Sequence, residues 1–326
     1  MPTITVRVVS VFLGIGALMT PAVPAVAASL PTAHTWNDVV AQVGAPTSAD
    51  NPLRCFGLEE LTYCLGFGFV DKLPTAAQLG KDTSVAENAT GAQSPQQFAA
   101  ARAAMPKETR LNAELTELRS AWDGRAKART LAGGGAGVAQ VVAAPDSKYI
   151  MAGYAVDQEK GYWCGPATFQ SIDWADDDQK DTQTSWASDL GTTTSGTSIT
   201  AMVQQTNAKT DWDVAAGAYI VQSVSSWTAS TFLNVHQSHL GDGSPAPIIE
   251  HPQLLKRYFP YLAFDHSGHF QVGRGYNQTT NTIGIFEVFN ERRFNSNGNI
   301  TDGPKNIPAS AMLNATLANQ FQNIGL

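Results

Sequence analysis

Four glycines in five residues, Gly133 to Gly137, constrain this chain more than any other stretch of it. Such a run loses too much backbone entropy to hold a helix, and it offers no alternation for a strand. With its surroundings, "LAGGGAGVAQVVAAPDS", it reads as a flexible linker over residues 132–147. A glycine run can also cradle phosphate, but here no Lys-Ser/Thr follows and no strand precedes. The chain therefore divides into an N-terminal region, 28–131, and a C-terminal domain, 148–326.

The first 27 residues read as a secretory signal peptide. Arg7 precedes an apolar run from Val8 to Met19, and Ala25-Val26-Ala27 supplies small residues for a cut after Ala27. The run is too short to span a bilayer, and Pro21 and Pro24 prevent its continuation as a helix. No later segment is apolar enough to cross a membrane, so a secreted protein without a membrane span is expected. A formal charge of -7 with no Lys/Arg stripe argues against nucleic acid as a partner. Hydrophobic residues at 43% and charged ones at 15% are those of a folded, globular chain.

Export gives meaning to the three cysteines. Cys55 and Cys64 flank "FGLEELTY", close enough to close a small disulfide loop in an oxidising compartment. Cys164 is left over, and an odd cysteine in an exported protein is an intermolecular link or a reactive thiol.

The N-terminal region is expected to be mainly helical. "TWNDVVAQVG" puts Trp36, Val39, Val40 and Val43 on one face, with Thr35 as N-cap and Gly44 as stop. "SPQQFAAARAAM" opens with a capping-box arrangement of Ser94 and Gln97 around Pro95. "ETRLNAELTELRSAWDGRAKAR" carries Leu111, Leu115, Leu118 and Trp122 at helical spacing. In the C-terminal domain, "CGPATFQSIDWA" and "TSITAMVQQTN" read as helices, the second capped by Thr197 or Ser198. "DWDVAAG" and "SPAPIIEH" read as short strands. "HFQVGRGY" and "TIGIFEVF" form a hairpin across "NQTTN", and "IPASAMLNATLANQF" a last helix. Helices first and an antiparallel sheet afterwards make an α+β domain.

Cys164 stands directly before Gly165-Pro166, where a helix should begin. Unpaired N–H groups at a helix N-terminus favour a thiolate, so its pKa is expected to fall. Gly165 allows close approach, Pro166 suits the first turn, and the Cys164 N–H supplies half of an oxyanion hole. Gln158, six residues upstream, is a candidate for the second donor. Of the six histidines only His269 begins an apolar β run, beside Gly268. If the hairpin turns about Thr279, Glu287 falls opposite Gln271 on the face of His269 and can orient the ring. A slip of one residue would offer Asn290 instead.

These residues resemble the double-glycine, or bacteriocin-leader, cysteine peptidase-like family, whose members are papain-like. The resemblance rests on Q-x5-C-G-P-A (Gln158, Cys164, Gly165, Pro166, Ala167) and on G-H-F-x-V-x-x-G-Y around His269. An acidic residue ends the following strand. It covers roughly residues 150 to 300 and implies a papain-like fold with Cys164 as nucleophile, His269 as base and Gln158 as oxyanion donor. The family usually shows Asp-Pro where this chain has Glu287-Val288.

A peptide or protein substrate is implied, with no cofactor and no metal. His236 and His239 could share a helix face as metal ligands, but no third ligand stands at diagnostic spacing. "DWADDDQKD" lacks the glycine and terminal glutamate of a calcium loop and reads as a solvated acidic loop. Other readings stay open: a transglutaminase or deamidase using the same groups, or a secreted binding module on a papain-like scaffold. The N-terminal region is either a propeptide over the active-site groove or a permanent domain.

Overall fold

The structure is a computed structural model that describes residues 30–44, 53–75, 78, 91–133 and 144–326. The expected signal peptide, 1–27, lies outside the described residues, as does the 134–143 part of the expected linker. In the N-terminal region, β1 (Thr32–Ala33) and α1 (Trp36–Gly44) precede β2 (Cys55–Leu58), β3 (Leu61–Cys64) and β4 (Gly68–Val70). Helices α2 (Pro95–Ala103), α3 (Lys107–Asp123) and α4 (Arg125–Ala132) complete the region. Beyond these come β5 (Ser147–Tyr149), α5 (Cys164–Asp177), α6 (Gln183–Asp189), α7 (Ile199–Lys209) and α8 (Trp212–Ala216). Next are β6 (Val221–Ser223), α9 (Ala229–Gly241), β7 (Ile248–Glu250), β8 (Gln271–Asn277) and β9 (Thr282–Glu287). The last elements are α10 (Glu291–Phe294), β10 (Gly303–Pro308), α11 (Ala309–Ala318) and β11 (Asn323–Gly325).

Local chemistry explains most of these boundaries. Ser94 and Gln97 form the reciprocal capping box of α2, and Ser198 rather than Thr197 caps α7. The long leucine-bearing segment is two helices, not one. Gly124 ends α3, and it must be glycine because a Cβ there would lie 2.1 Å from the Ile220 Cγ2. "DWDVAAG" is the helix α8 rather than a strand. The Trp212 indole N–H donates to the Ile172 carbonyl at 3.0 Å, so packing on α5 overrides the β-propensity of Trp and Val.

Among the described residues all the strands belong to one sheet of mixed α+β architecture, ordered β1-β2-β3-β4-β6-β11-β7-β8-β9-β10, with β5 pairing the end of β8. Cys55 and Cys64 face each other across β2 and β3 and are bonded, as their spacing predicts. The N-terminal region thus carries strands beside its helices. They are two to four residues long and rich in Cys, Gly and Phe, too short to show alternation. Its sheet runs into that of the C-terminal domain where β4 lies parallel to β6, with Phe69 opposite Gln222. Ile220 and Phe321 are buried in the N-terminal core, where Phe321 meets Phe67 at 4.9 Å and Phe98 at 6.2 Å.

In the C-terminal domain, neighbouring strand residues supply two different cores. Ile249, Val272 and Phe286 join the cluster of α5, whereas Ile248, Ile283 and Ile285 join that of α9 and α11. Alternation of side chains therefore buries both faces of the sheet.

Candidate active site

Cys164 is the first residue of α5, and every residue of that helix from Cys164 to Asp173 is buried. Gly165 permits the close approach of Thr197, whose Oγ1 would be 2.4 Å from a Cβ at that position. The thiol is completely enclosed. Burial is the largest influence on it and holds its pKa well above the ordinary thiol value. The N–H groups of Phe270 and Gly165 pull the other way, and the Glu287 carboxylate adds to the rise. The expected fall at the helix N-terminus is thus reversed by desolvation. Cys164 and Phe270, the residue after His269, belong to the same buried apolar cluster.

His269 precedes β8, its N–H donating to the Pro252 carbonyl at 2.9 Å. Its Nε2 lies 2.7 Å from Glu287 Oε1, and both side chains are fully buried. The ladder that brings them together contains a correction. Asn277 pairs with Thr282 and Gly275 with Gly284, a register that would set Glu287 opposite Val272. A bulge between Gly273 and Gly275 absorbs one residue, after which Gly273 pairs with Ile285 and Val272 with Phe286. One pair further, Gln271 stands opposite Glu287 and donates to its Oε2 at 2.7 Å.

Glu287 is held on both oxygens. Oε1 also accepts from the Phe289 N–H at 2.9 Å, and Oε2 accepts from the Tyr261 hydroxyl at 2.8 Å. Burial pushes this carboxyl up, but His269 and the donors around it outweigh burial and keep the pKa below the usual glutamate value. An ionised carboxylate only accepts, so it is His269 Nε2 that carries the shared proton. The Nδ1 of the same ring is buried with no hydrogen-bond partner.

Gln158 and Asn290 complete the expected set. The Gln158 N–H donates to the Val288 carbonyl at 2.7 Å. Its Nε2 donates to the carbonyls of Lys160 and Gly161 at 2.8 and 2.9 Å, pinning the turn before Trp163, and its Oε1 is buried without a partner. Both amide hydrogens are occupied in this arrangement. Asn290 caps α10 by position without a side-chain bond, and Glu287 is the residue that meets His269.

Tyr261 and Gln271 are the residues that motif reading passes over. Gln271, two positions after His269, shares its face and was legible by alternation. Tyr261 arrives from a distant loop and left no local signal. Two further buried His–Glu pairs are present, His236–Glu250 and His266–Glu291. His236 has both nitrogens engaged, the second by the Phe232 carbonyl. His251 stacks on Phe270 at 4.6 Å, and burial lowers its pKa to about 4. Among the described residues no group of three or more His, Cys, Asp or Glu side chains is placed to hold a metal ion.

Residues 154–301, less than half of the chain, match the family model described as Peptidase_C39 like family. The matched segment contains Gln158, Cys164, His269, Glu287 and Asn290, and the match supports a C39-like cysteine peptidase family. No curated protein matches the chain.

Proposed function

We propose that the protein is a secreted, papain-like cysteine peptidase in which Cys164 is the nucleophile, His269 the base and Glu287 its orienting partner. The observation that carries this reading is the buried His269–Glu287 pair, which leaves Nδ1 unbonded, next in the chain to Phe270, a member of the same buried cluster as Cys164. The family match supports the peptidase class. The double-glycine type rests on the Q-x5-C-G-P-A and G-H-F-x-V motifs, and secretion on the first 27 residues.

In this mechanism Nδ1 takes the thiol proton and the thiolate attacks the scissile carbonyl carbon. The oxyanion is held by the Cys164 N–H, with Gln158 as second donor once its amide turns away from the Lys160 and Gly161 carbonyls. The imidazolium, stabilised by Glu287, returns its proton to the leaving amine and a thioester to Cys164 remains. Water, deprotonated by the same Nδ1, then releases the acid and restores the thiol.

The test is peptide hydrolysis followed by mass spectrometry. Cys164→Ala and His269→Ala should each abolish turnover, and the quenched enzyme should carry an acyl group on Cys164 alone. Turnover surviving in Cys164→Ala would remove the reading. Incorporation of an added amine in place of hydrolysis would reassign the site to a transferase.

A further inference from the structure

Gly91, Ala92 and Gln93, from the N-terminal region, run between two backbone segments of the candidate site. On one side the Thr197 N–H donates to the Gly91 carbonyl at 2.7 Å, and the Gln93 N–H donates to the Thr197 carbonyl at 2.9 Å. On the other the Ala92 N–H donates to the Gly268 carbonyl at 3.2 Å. Thr197 packs on Gly165, next to the thiol, and Gly268 immediately precedes His269. Ala92 is buried in the same apolar cluster as Cys164 and Phe270. The fit admits nothing larger. A Cβ at Gly91, whose φ is +109°, would lie 2.2 Å from the Tyr162 carbonyl oxygen, and one at Gly196 would lie 1.9 Å from that of Gly91.

An extended segment bonded on both sides through its main chain is how a peptide binds irrespective of its side chains. Here that segment belongs to the protein. It leads directly into the capped start of α2, whose Arg102 pairs with buried Glu117 at 2.8 Å. The N-terminal region that carries it is joined to the rest of the sheet through β4 and β6. It is also held by Asn323, which donates to the Gly66 and Phe67 carbonyls at 3.0 Å each.

We propose that Gly91–Gln93 is a built-in strap closing the cleft over Cys164, and that an extended peptide substrate must displace it and take over the main-chain bonds to Thr197 and Gly268. This inference rests on Cys164 being the nucleophile. It differs from a propeptide in that the strap lifts while the N-terminal region stays in place. The enclosed, neutral thiol is the chemistry expected of the closed state.

The test reads alkylation of Cys164 in the full chain by iodoacetamide, with the site identified by peptide mapping, and so does not depend on turnover. Gly91→Val introduces the clash with Tyr162, and Ala92→Pro removes the N–H given to Gly268. Each should raise the alkylation rate about tenfold or more over the wild type. A lock provides the opposite arm. A Cβ at Gly268 would lie 3.5 Å from that of Ala92, within disulfide reach. Oxidised Ala92→Cys/Gly268→Cys should alkylate at Cys164 about tenfold more slowly than the wild type or less, and recover on reduction. Should the loosening variants fail to fold, the lock decides alone. Equal rates in wild type and oxidised lock would overturn the strap. If the rates follow the strap but no peptide is cleaved, the strap stands and the peptidase reading falls.

Discussion

Glu287 is a glutamate where the resembled family has an aspartate, and its longer side chain is immobilised by four donors: His269, Phe289, Tyr261 and Gln271. Tyr261 and Gln271 touch Oε2, the oxygen away from the imidazole, so they act as positioning residues. Removing the hydroxyl in Tyr261→Phe leaves the carboxylate one bond short in a buried site. Turnover should fall by about tenfold, with KM unchanged, for an interaction of this kind. The acid limb of the kcat–pH profile should also move up, because a donor that keeps Glu287 ionised is lost. Glu287→Gln should cost more than Tyr261→Phe but less than loss of His269, since an amide can hold the ring while the charge is gone. An unaltered pH profile in Tyr261→Phe would show that its role is packing alone.

At the scale of elements, α5 joins opposite demands. It begins at Cys164 and ends in acidic residues with no basic residue in its last turn, against the helix dipole. Burial, with Asp177, Asp181 and Asp176 nearby, raises the Asp173 carboxyl to about 7. A carboxyl whose pKa is higher folded than unfolded favours the native state fully below its unfolded value near 4. That contribution is lost as pH rises toward 7. Asp173→Asn should therefore stabilise the protein at pH 8, by on the order of 1 kcal/mol, with no gain below about pH 4. Thermal unfolding of both forms across that range checks the sign.

The same scale explains what could be read in advance. Cys164, His269 and Glu287 were legible because a helix start, a strand start and two-residue alternation are local patterns. Glu287 was placed by a turn centred on Thr279, whereas the loop lies half a residue further on and the bulge at Arg274 restores the register. The pairing was right although one of its causes was invisible. The closed cleft could not be read at all, because Gly91–Gln93 has no meaning apart from Thr197 and Gly268. Gly124 has no local signature for the same reason, since its need for glycine comes from Ile220, 96 positions away.

Over the whole molecule, the shared sheet makes the N-terminal region part of the fold. Residues 144–326 expressed alone would leave the edge of β6 unpaired and uncover Ile220 and Phe321. They should be recovered as aggregate, in contrast to the full chain, when compared by size-exclusion chromatography. A monomeric, folded fragment would instead restore the propeptide alternative. The order of the strands has a consequence in time as well. The middle of the sheet is assembled from pairs such as Phe69 with Gln222, Ile324 with Gln222 and Gly325 with Ile249, each joining stretches remote in the chain. Every such pair requires a long loop to close before it gains anything, so the nucleus must be searched for rather than zipped up from neighbours. The Cys55–Cys64 hairpin is local and can form early, yet β4, which pairs with its second strand, waits for β6 from far along the chain. Refolding followed by tryptophan fluorescence should accordingly run over about a second or longer, with yield falling as concentration rises.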